Sequence, residues 1–528
     1  MWGERAGLAG CLAACWLCVQ AQAAPPLVFC AEADADGFDS ALSDTAATHR
    51  AAAYALYNRL VGFVPGSATL APELAESWTS SSDGTVWTFV LRKQVVFQRT
   101  AWFSPSRPFN ADDVLWSVQR QIDNRHPGAA QAPAGFPGAL SGNWAELIRS
   151  VDKLDAYTVR FTLSKPYAPF PVLMASWPMS IVSAEYGDKL ARSGQLAKLA
   201  SEPVGTGPYQ LVRYDKGSTI RYAAHPGYFR GKPAIDRLLF SITPDPAVRA
   251  QKLRSGECAL AESLKPQDLA MLETAAGVSV YRYQPQVTSF LAFNTRKKPF
   301  DDARVRRALS LVIDRRAIVA SVFGGQAEVG WFPYSGQALW GVPAAEKHDP
   351  KLDAARQLLR EAGQLQGFDT TIWAAQGGGA ANLNPKLTAE LIQADWAKLG
   401  VRARIVLLDA AELSRKGRAG EHDTIVSGWR NSLDPDELYA NLLSCESASN
   451  STAHWCDEGF DKLIDAGRAS PDRSKRAQAY EAAARRFAEA APWAVLAYPG
   501  MAVAASSKLT GLAPGPAAPF AFERLRWK

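Results

Sequence analysis

The chain is poor in the residues that do metal and nucleophile chemistry, with seven cysteines and six histidines among 528 residues. The histidines (His49, His126, His225, His348, His422, His454) are scattered, and none has a second ligand at the tight spacing of a zinc site. His454 lies two residues from Cys456, but a lone pair without further ligands reads as structural. There is no G-x-S-x-G and no H-E-x-x-H, so the serine-hydrolase and zincin signatures are both missing. Charge of one sign is also lacking. Lys plus Arg (58) less Asp plus Glu (52) leaves +6, too slight over this length for a nucleic-acid binder. With 47% hydrophobic and 21% charged residues the composition is that of a globular chain, which excludes disorder.

Three stretches look like chemistry and read better as structure. Gly205-Thr206-Gly207-Pro208-Tyr209 is glycine-rich, but Pro208 removes a backbone donor that a phosphate nest needs, and no Lys-Ser/Thr follows. Gly377-Gly378-Gly379 comes after a strand and opens no G-x-x-G helix, so a flexible loop is expected. Asp434-Pro435-Asp436-Glu437 lacks the alternating oxygen ligands of a calcium loop, and as a hydrolytic carboxylate pair it is a weak signal.

The N-terminus sets the compartment. A short polar start (Met1 to Arg5), an apolar run from Ala6 to Val19 and a small-x-small site at Ala21-Gln22-Ala23 read as a cleaved secretory signal over residues 1–23. Leu12-Ala13-Ala14-Cys15 resembles a lipobox, but the apolar run before Cys15 is short and Trp16-Leu17 suit a lipidated cysteine poorly. No later apolar segment approaches the ~20 residues of a membrane span. The mature chain keeps Cys30, Cys258, Cys445 and Cys456, and four cysteines in an exported protein read as two disulfides with three possible pairings. The closeness of Cys445 and Cys456 favours a small loop, leaving Cys30 and Cys258 as a long-range staple. Four buried thiols are the alternative.

Strand signals dominate from Pro26 to about Ala250: Thr85–Leu91 after an Asp83-Gly84 turn, Tyr157–Leu163, and a β-rich stretch over 207–242. A helix is predicted from Asn110 to Ile122, with Asn as cap and acids in the first turn, and an irregular loop over 126–142. Past Ser289 helices alternate with single strands. Two helical patterns fill 301–323; helices 350–362 and 387–399 and strands 370–373 and 401–408 follow, and a long helix spans 471–490. That order reads as a βαβ layer with a parallel component. A β-rich first lobe, an α/β second lobe and a tail that rejoins the first are expected. Trp429 ends a strand and is followed by Arg430-Asn431-Ser432, the kind of position where open α/β layers bind small ligands.

In order along the chain stand Leu74-Ala75-Glu76-Ser77-Trp78, Asp83-Gly84, Trp87-Thr88-Phe89-Val90-Leu91-Arg92, Phe109-Asn110-Ala111-Asp112-Asp113-Val114, Pro203 to Tyr209, Tyr228-Phe229-Arg230-Gly231-Lys232-Pro233 and Leu291-Ala292-Phe293-Asn294. On these the sequence resembles the family 5 extracytoplasmic solute-binding proteins of ABC transporters, the peptide/nickel-binding family. Within the family the chain resembles the dipeptide-binding and Sap-type (antimicrobial-peptide resistance) branches, and Phe97 to Phe103 and Ala453-His454-Trp455-Cys456-Asp457 look Sap-like. The resemblance implies an α/β two-lobed periplasmic-binding fold of type II, cluster C, with mixed sheets and a hinge. It divides the chain into signal (1–23), lobe I (24–287), lobe II (288–499) and a returning tail (500–528), with crossings near Gln286 to Phe290 and Tyr498 to Val503. Its disulfides correspond to Cys30–Cys258 and Cys445–Cys456.

The resemblance places ligand contacts at Asp44, at Gly379, Ala380 and Asn382, and at Trp429, Arg430, Asn431, Ser432 and Asp434. Dipeptide binders hold the ligand's amine with an Asp three residues after the tryptophan, where this chain has Ser432; Asp434 is the acid nearest to that role. They hold the carboxylate with an Arg in the loop matching Gln376 to Asn384, which here has none, and Arg430 is the substitute cation. The implied function is that of a periplasmic, monomeric binding component of an importer, capturing peptides for a membrane permease. It implies no catalysis, no metal, no cofactor and no nucleic acid. Haem or another non-peptide ligand on the same fold is the alternative, and a secreted hydrolase is the rival from another class.

Overall fold

The computed structural model describes residues 25–335, 342–343, 349–430, 432–518 and 521–528. The signal segment with Cys11, Cys15 and Cys18, and the site candidate Asn431, lie outside the described residues. Two mixed sheets carry the architecture. The first has seven strands in the spatial order Val278–Tyr283, Met501–Ser506, Leu260–Glu262, Leu27–Ala31, Arg237–Ile242, Thr219–Ala224 and Tyr209–Asp215. The second has six: Ala327–Val329, Trp493–Pro499, Val287–Phe293, Thr424–Arg430, Asp369–Ala375 and Arg402–Leu408. A four-stranded antiparallel sheet (Ala75–Ser80, Val86–Leu91, Thr158–Leu163, Ile148–Asp155) attaches to the first.

The parallel component lies where alternating helix and strand signals put it. Asp369–Ala375 pairs in parallel with Arg402–Leu408, and helix Pro385–Ala397 makes the crossover. Val287–Phe293 and Trp493–Pro499 are buried at every position, because both are covered on both faces. That is why neither shows the in–out alternation of a half-exposed strand, and why even Thr288 and Ser289 are buried.

Helix Ala111–Ile122 starts with a complete capping box, Asn110 accepting from Asp112 N and the Asp113 side chain from Asn110 N. Helix Pro385–Ala397 starts two residues before the predicted Leu387, because Pro385 occupies the first helical position and Asn384 caps it. The expected loop over 126–142 instead holds two short helical turns, Pro127–Gln131 and Pro137–Ser141, each opened by a proline. Gly205 and Gly207 form a structural turn: a Cβ on either would come within 2.1–2.3 Å of Leu56 backbone, and Gln98 Nε2 donates to the carbonyls around them.

The chain passes between the sheets twice. Gln284 to Gln286 joins Val278–Tyr283 to Val287–Phe293, and Gly500 joins Trp493–Pro499 to Met501–Ser506. The crossings are therefore tighter than expected; Phe290 and Val503 lie inside strands. Gln284 Nε2 donates to the carbonyls of Tyr498 and Pro499 at 3.1 Å, tying one crossing to the other. Gly500 N donates to Gln326 O at 2.7 Å, and a Cβ there would approach that oxygen to 2.6 Å, so glycine is required by close approach.

The tail returns to the first sheet. Phe522 packs its ring 6.0 Å from Phe29 and 5.4 Å from Phe240, and Trp527 Nε1 donates to Pro25 O. Cys30–Cys258 and Cys445–Cys456 are bonded, with Cα atoms 5.9 and 4.2 Å apart, as the sequence spacing and the resemblance both suggested.

Candidate functional site: the interlobe cleft

Strand Thr424–Arg430 loses cover along its length. Thr424, Ile425 and Val426 are buried, while Trp429 and Arg430 are exposed at its C-terminal end. Trp429 is 36% exposed, which places it on a surface and not in the core. Beside it, the loop after Asp369–Ala375 lies against the strand at Gly428, where a Cβ would meet Ala381 Cβ at 2.3 Å. Gly379 and Asn382 exchange backbone hydrogen bonds of 2.8 and 3.0 Å, closing a tight turn whose tip, Gly379 and Ala380, is exposed. Asn382 is buried and pins the turn: Nδ2 donates to Thr388 Oγ1 at 3.0 Å, and Oδ1 accepts from Asn384 N. Gly379 and Ala380 are thus accessible to a ligand, whereas the Asn382 side chain is engaged in shaping the loop.

The acidic run after the strand is organised by two arginines. Asp434 is buried, receives Arg476 Nη2 at 2.8 Å on both oxygens, and accepts from Asp436 N as the cap of the turn Pro435–Leu438. Asp436 is buried against Arg468 Nε at 3.0 Å and Tyr480 OH at 3.2 Å. The Asp434 carboxylate is therefore fully engaged within the second lobe, which corrects the expectation that it moves into the amine-binding role. Ser432 takes part in the same turn: its N–H donates to Glu437 Oε2 at 2.8 Å and its hydroxyl to Asp434 O at 3.2 Å.

The first lobe supplies a charged wall that sequence reasoning missed. Arg50 pairs with Glu32 at 3.1 Å and, at close range, with Glu262. Burial pushes the Glu262 carboxyl up to about 7, opposed by Arg50 and helped by the Glu32 charge. Glu32 is raised by burial but held low overall by Arg50. Arg430 of the second lobe faces this wall: its charge reaches Glu262, Tyr54 and Tyr283, and its Nη2 lies 4.0 Å from Met501 Sδ at the crossing. Asp44 is exposed on the first lobe, in the turn where Ser43 and Thr45 donate to Asp36. No local motif announces Arg50, Glu262 or Tyr283, because they come together only through sheet pairing of distant segments. Tyr54 also walls a cavity of about 260 Å³ inside the first lobe, shared with Arg59, Glu73, Trp177, Arg230 and Glu523.

Among the described residues no three His, Cys, Asp or Glu side chains gather as a metal site, and no helix is long and apolar enough to cross a membrane. Two mixed sheets joined by two adjacent crossings, with an exposed aromatic and charged side chains of both signs along the gap, define an extracytoplasmic solute-binding protein. Residues 69–450 match the family described as bacterial extracellular solute-binding proteins, family 5 Middle, and the chain belongs to that family. It is 41% identical over 503 residues to Di/tripeptide-binding protein 2 of Pseudomonas aeruginosa, covering 95% of this chain and 94% of that one. Among solved structures it is similar to HbpA2 from Haemophilus parasuis, with TM-score 0.90, 34% identity and coverage of 96% and 100%. It is also similar to the dipeptide binding protein of Pseudoalteromonas sp. SM9913 in complex with Met-Leu, with TM-score 0.79, 31% identity and coverage of 96% and 100%.

Proposed function

We propose that this chain is the periplasmic ligand-capturing component of an ABC importer and that its ligand is a short peptide, held in the interlobe cleft and passed to a membrane permease. On this reading residues 1–23 are a cleaved signal, 24–287 and 288–499 form the two lobes, and 500–528 rejoin the first. The observation that carries the peptide reading is the cleft's pairing of an exposed Trp429–Arg430 edge with the carboxylate-rich wall of Glu32 and Glu262. A zwitterion needs an opposite charge at each end, since a buried unpaired charge costs several kcal/mol. The relative of 41% identity is named for di- and tripeptides, and the Pseudoalteromonas structure holds Met-Leu.

Gly379, Ala380, Trp429 and Arg430 are the second-lobe contacts, Asp44 and the Arg50 network the first-lobe ones, and Ser432 shapes the loop between. The haem reading has less support. Haem iron needs an axial ligand, and four of the five described histidines are buried with a ring nitrogen held by a backbone carbonyl (His49, His225, His422, His454). The fifth, His126, packs on Trp116. Native mass spectrometry of the purified protein titrated with Met-Leu tests the peptide reading. A one-to-one adduct without hydrolysis is expected; no adduct with any short peptide, or measurable peptidase turnover, overturns it.

A further inference from the structure

Two buried histidines of the second lobe come together from separate loops. His422 stands between helix Ala410–Arg418 and strand Thr424–Arg430, and His454 lies in the loop that the Cys445–Cys456 disulfide closes. Their ring centres are 6.1 Å apart, and the residues are 0% and 5% exposed. Each ring has one nitrogen on a backbone carbonyl, His422 Nε2 on Thr452 O at 2.8 Å and His454 Nδ1 on Ala448 O at 2.9 Å. A carbonyl only accepts, so those nitrogens carry the protons, and His422 Nδ1 and His454 Nε2 present bare lone pairs. Both are buried without a hydrogen-bond partner among the described residues. We propose that these two nitrogens hold a single cuprous ion. The site lies at the opposite end of strand Thr424–Arg430 from Trp429, and it does not depend on the peptide reading.

Geometry supports the assignment. A Cβ on Gly420 would lie 2.9 Å from His454 Nε2, so that lone pair faces the turn leading into His422. Asn294 and Thr295, just past strand Val287–Phe293, fix both loops. Asn294 Nδ2 donates to Gly420 O and His422 O at 3.0 Å, and Thr295 Oγ1 to Ala453 O and His454 O at 3.1 Å. His454 is held at φ +51°, a left-handed conformation that is costly outside glycine and collects at functional positions. A linear nitrogen–metal–nitrogen unit, with bonds of about 2.0 Å and about 1.1 Å from each nitrogen to its ring centre, puts the centres about 6 Å apart, as found. Imidazole suits copper, and the closed-shell cuprous ion accepts two ligands where zinc takes four and calcium six or more. No third His, Cys, Asp or Glu gathers with the pair among the described residues, and nitrogens this enclosed leave a divalent ion no water to complete its shell. They are equally closed to haem. A second ring nitrogen donating to a backbone carbonyl is also how metal-bound histidines are oriented.

The test is anaerobic titration of untagged protein with Cu(I) against the chelator bicinchoninate, with X-ray absorption at the copper edge on the loaded wild type. One equivalent is expected, with two nitrogen neighbours, no sulfur, and a higher melting temperature than the metal-free protein. His422→Gln and His454→Asn each keep a donor for the carbonyl now bonded and replace the free nitrogen with an oxygen, a poor cuprous ligand. Either change is expected to weaken Cu(I) by at least about a hundredfold, since loss of a mere outer partner of a ligand costs up to that much, and to abolish the copper-dependent rise in melting temperature. Met-Leu titration of the wild type is expected to be the same with and without copper. No uptake by wild type in competition with bicinchoninate overturns the assignment. So does sulfur in the copper shell, which would put the metal on a methionine such as the exposed Met271. Zn(II) bound as tightly as Cu(I), or variants that keep wild-type affinity, overturn it too. The absorption spectrum needs no variant, so a substitution that fails to fold leaves the proposal open to refutation.

Discussion

Replacing Asp434 with asparagine separates a structural acid from a ligand contact. Both Asp434 oxygens lie 2.8 Å from Arg476 Nη2, and the two side chains are 3% and 8% exposed. Asparagine caps a helix as well as aspartate does, so the change spares the hydrogen bond to Asp436 N and removes the charge. Arg476 then stays buried and keeps its contacts to the Gly467 carbonyl at 3.0 Å and the Tyr480 hydroxyl at 3.5 Å, but loses the carboxylate it pairs with. Breaking one side of a buried pair costs about 3–5 kcal/mol, because the remaining charge stays desolvated. Urea unfolding reads this as a lower midpoint at unchanged slope. Peptide affinity of the folded fraction, measured by titration calorimetry, is expected to stay at the wild-type value. A double-mutant cycle with Arg476→Gln is expected to return most of the loss as coupling between the two residues. Wild-type stability combined with a tenfold or larger loss of affinity would refute the reasoning and return Asp434 to the cleft.

Trp429→Ala is expected to weaken peptide binding about thirtyfold. The 36% of the indole now exposed corresponds to roughly 80 Å² covered on closure, or about 2 kcal/mol; unchanged affinity in fluorescence-free calorimetry would remove Trp429 from the site. Glu262 titrates near 7 when folded and near 4.5 when unfolded, so between those values the native state keeps a proton the unfolded chain has lost, and stability falls as pH rises through that window. Urea midpoints from pH 5 to 8 are expected to lose that component of slope in Glu262→Gln, and an identical slope in both proteins contradicts it. Breaking Cys30–Cys258 with paired serines should cost about 5 kcal/mol and breaking Cys445–Cys456 about 3, from loops of 228 and 11 residues in the chain-entropy account. The reverse order in denaturation midpoints would show that loop length does not set these contributions.

What was readable in the sequence follows the range over which each feature is determined. Caps and punctuation are local, so Asn110 and the Gly324 that ends helix Arg315–Phe323 in the left-handed region mark their helices directly. The alternating strand Thr158–Leu163 is legible for the same reason, since one face is buried and the other is not. The tip of strand Thr424–Arg430 is legible too, because an aromatic followed by polar residues at a strand's end is a local pattern. The charges of the cleft are another matter. Whether an acid is free depends on which arginine reaches it, and Arg476 and Arg468 come from helices that begin well after the acidic run. Sequence proximity singled out Asp434, whereas the fold buries its carboxylate against Arg476. Likewise Arg50, Glu32 and Glu262 form one network because Leu260–Glu262 pairs beside Leu27–Ala31, a parallel register that no local pattern encodes. In this fold the family is written in turns and strands, while the pairing of its buried acids is decided by which arginines the folded lobes bring to them.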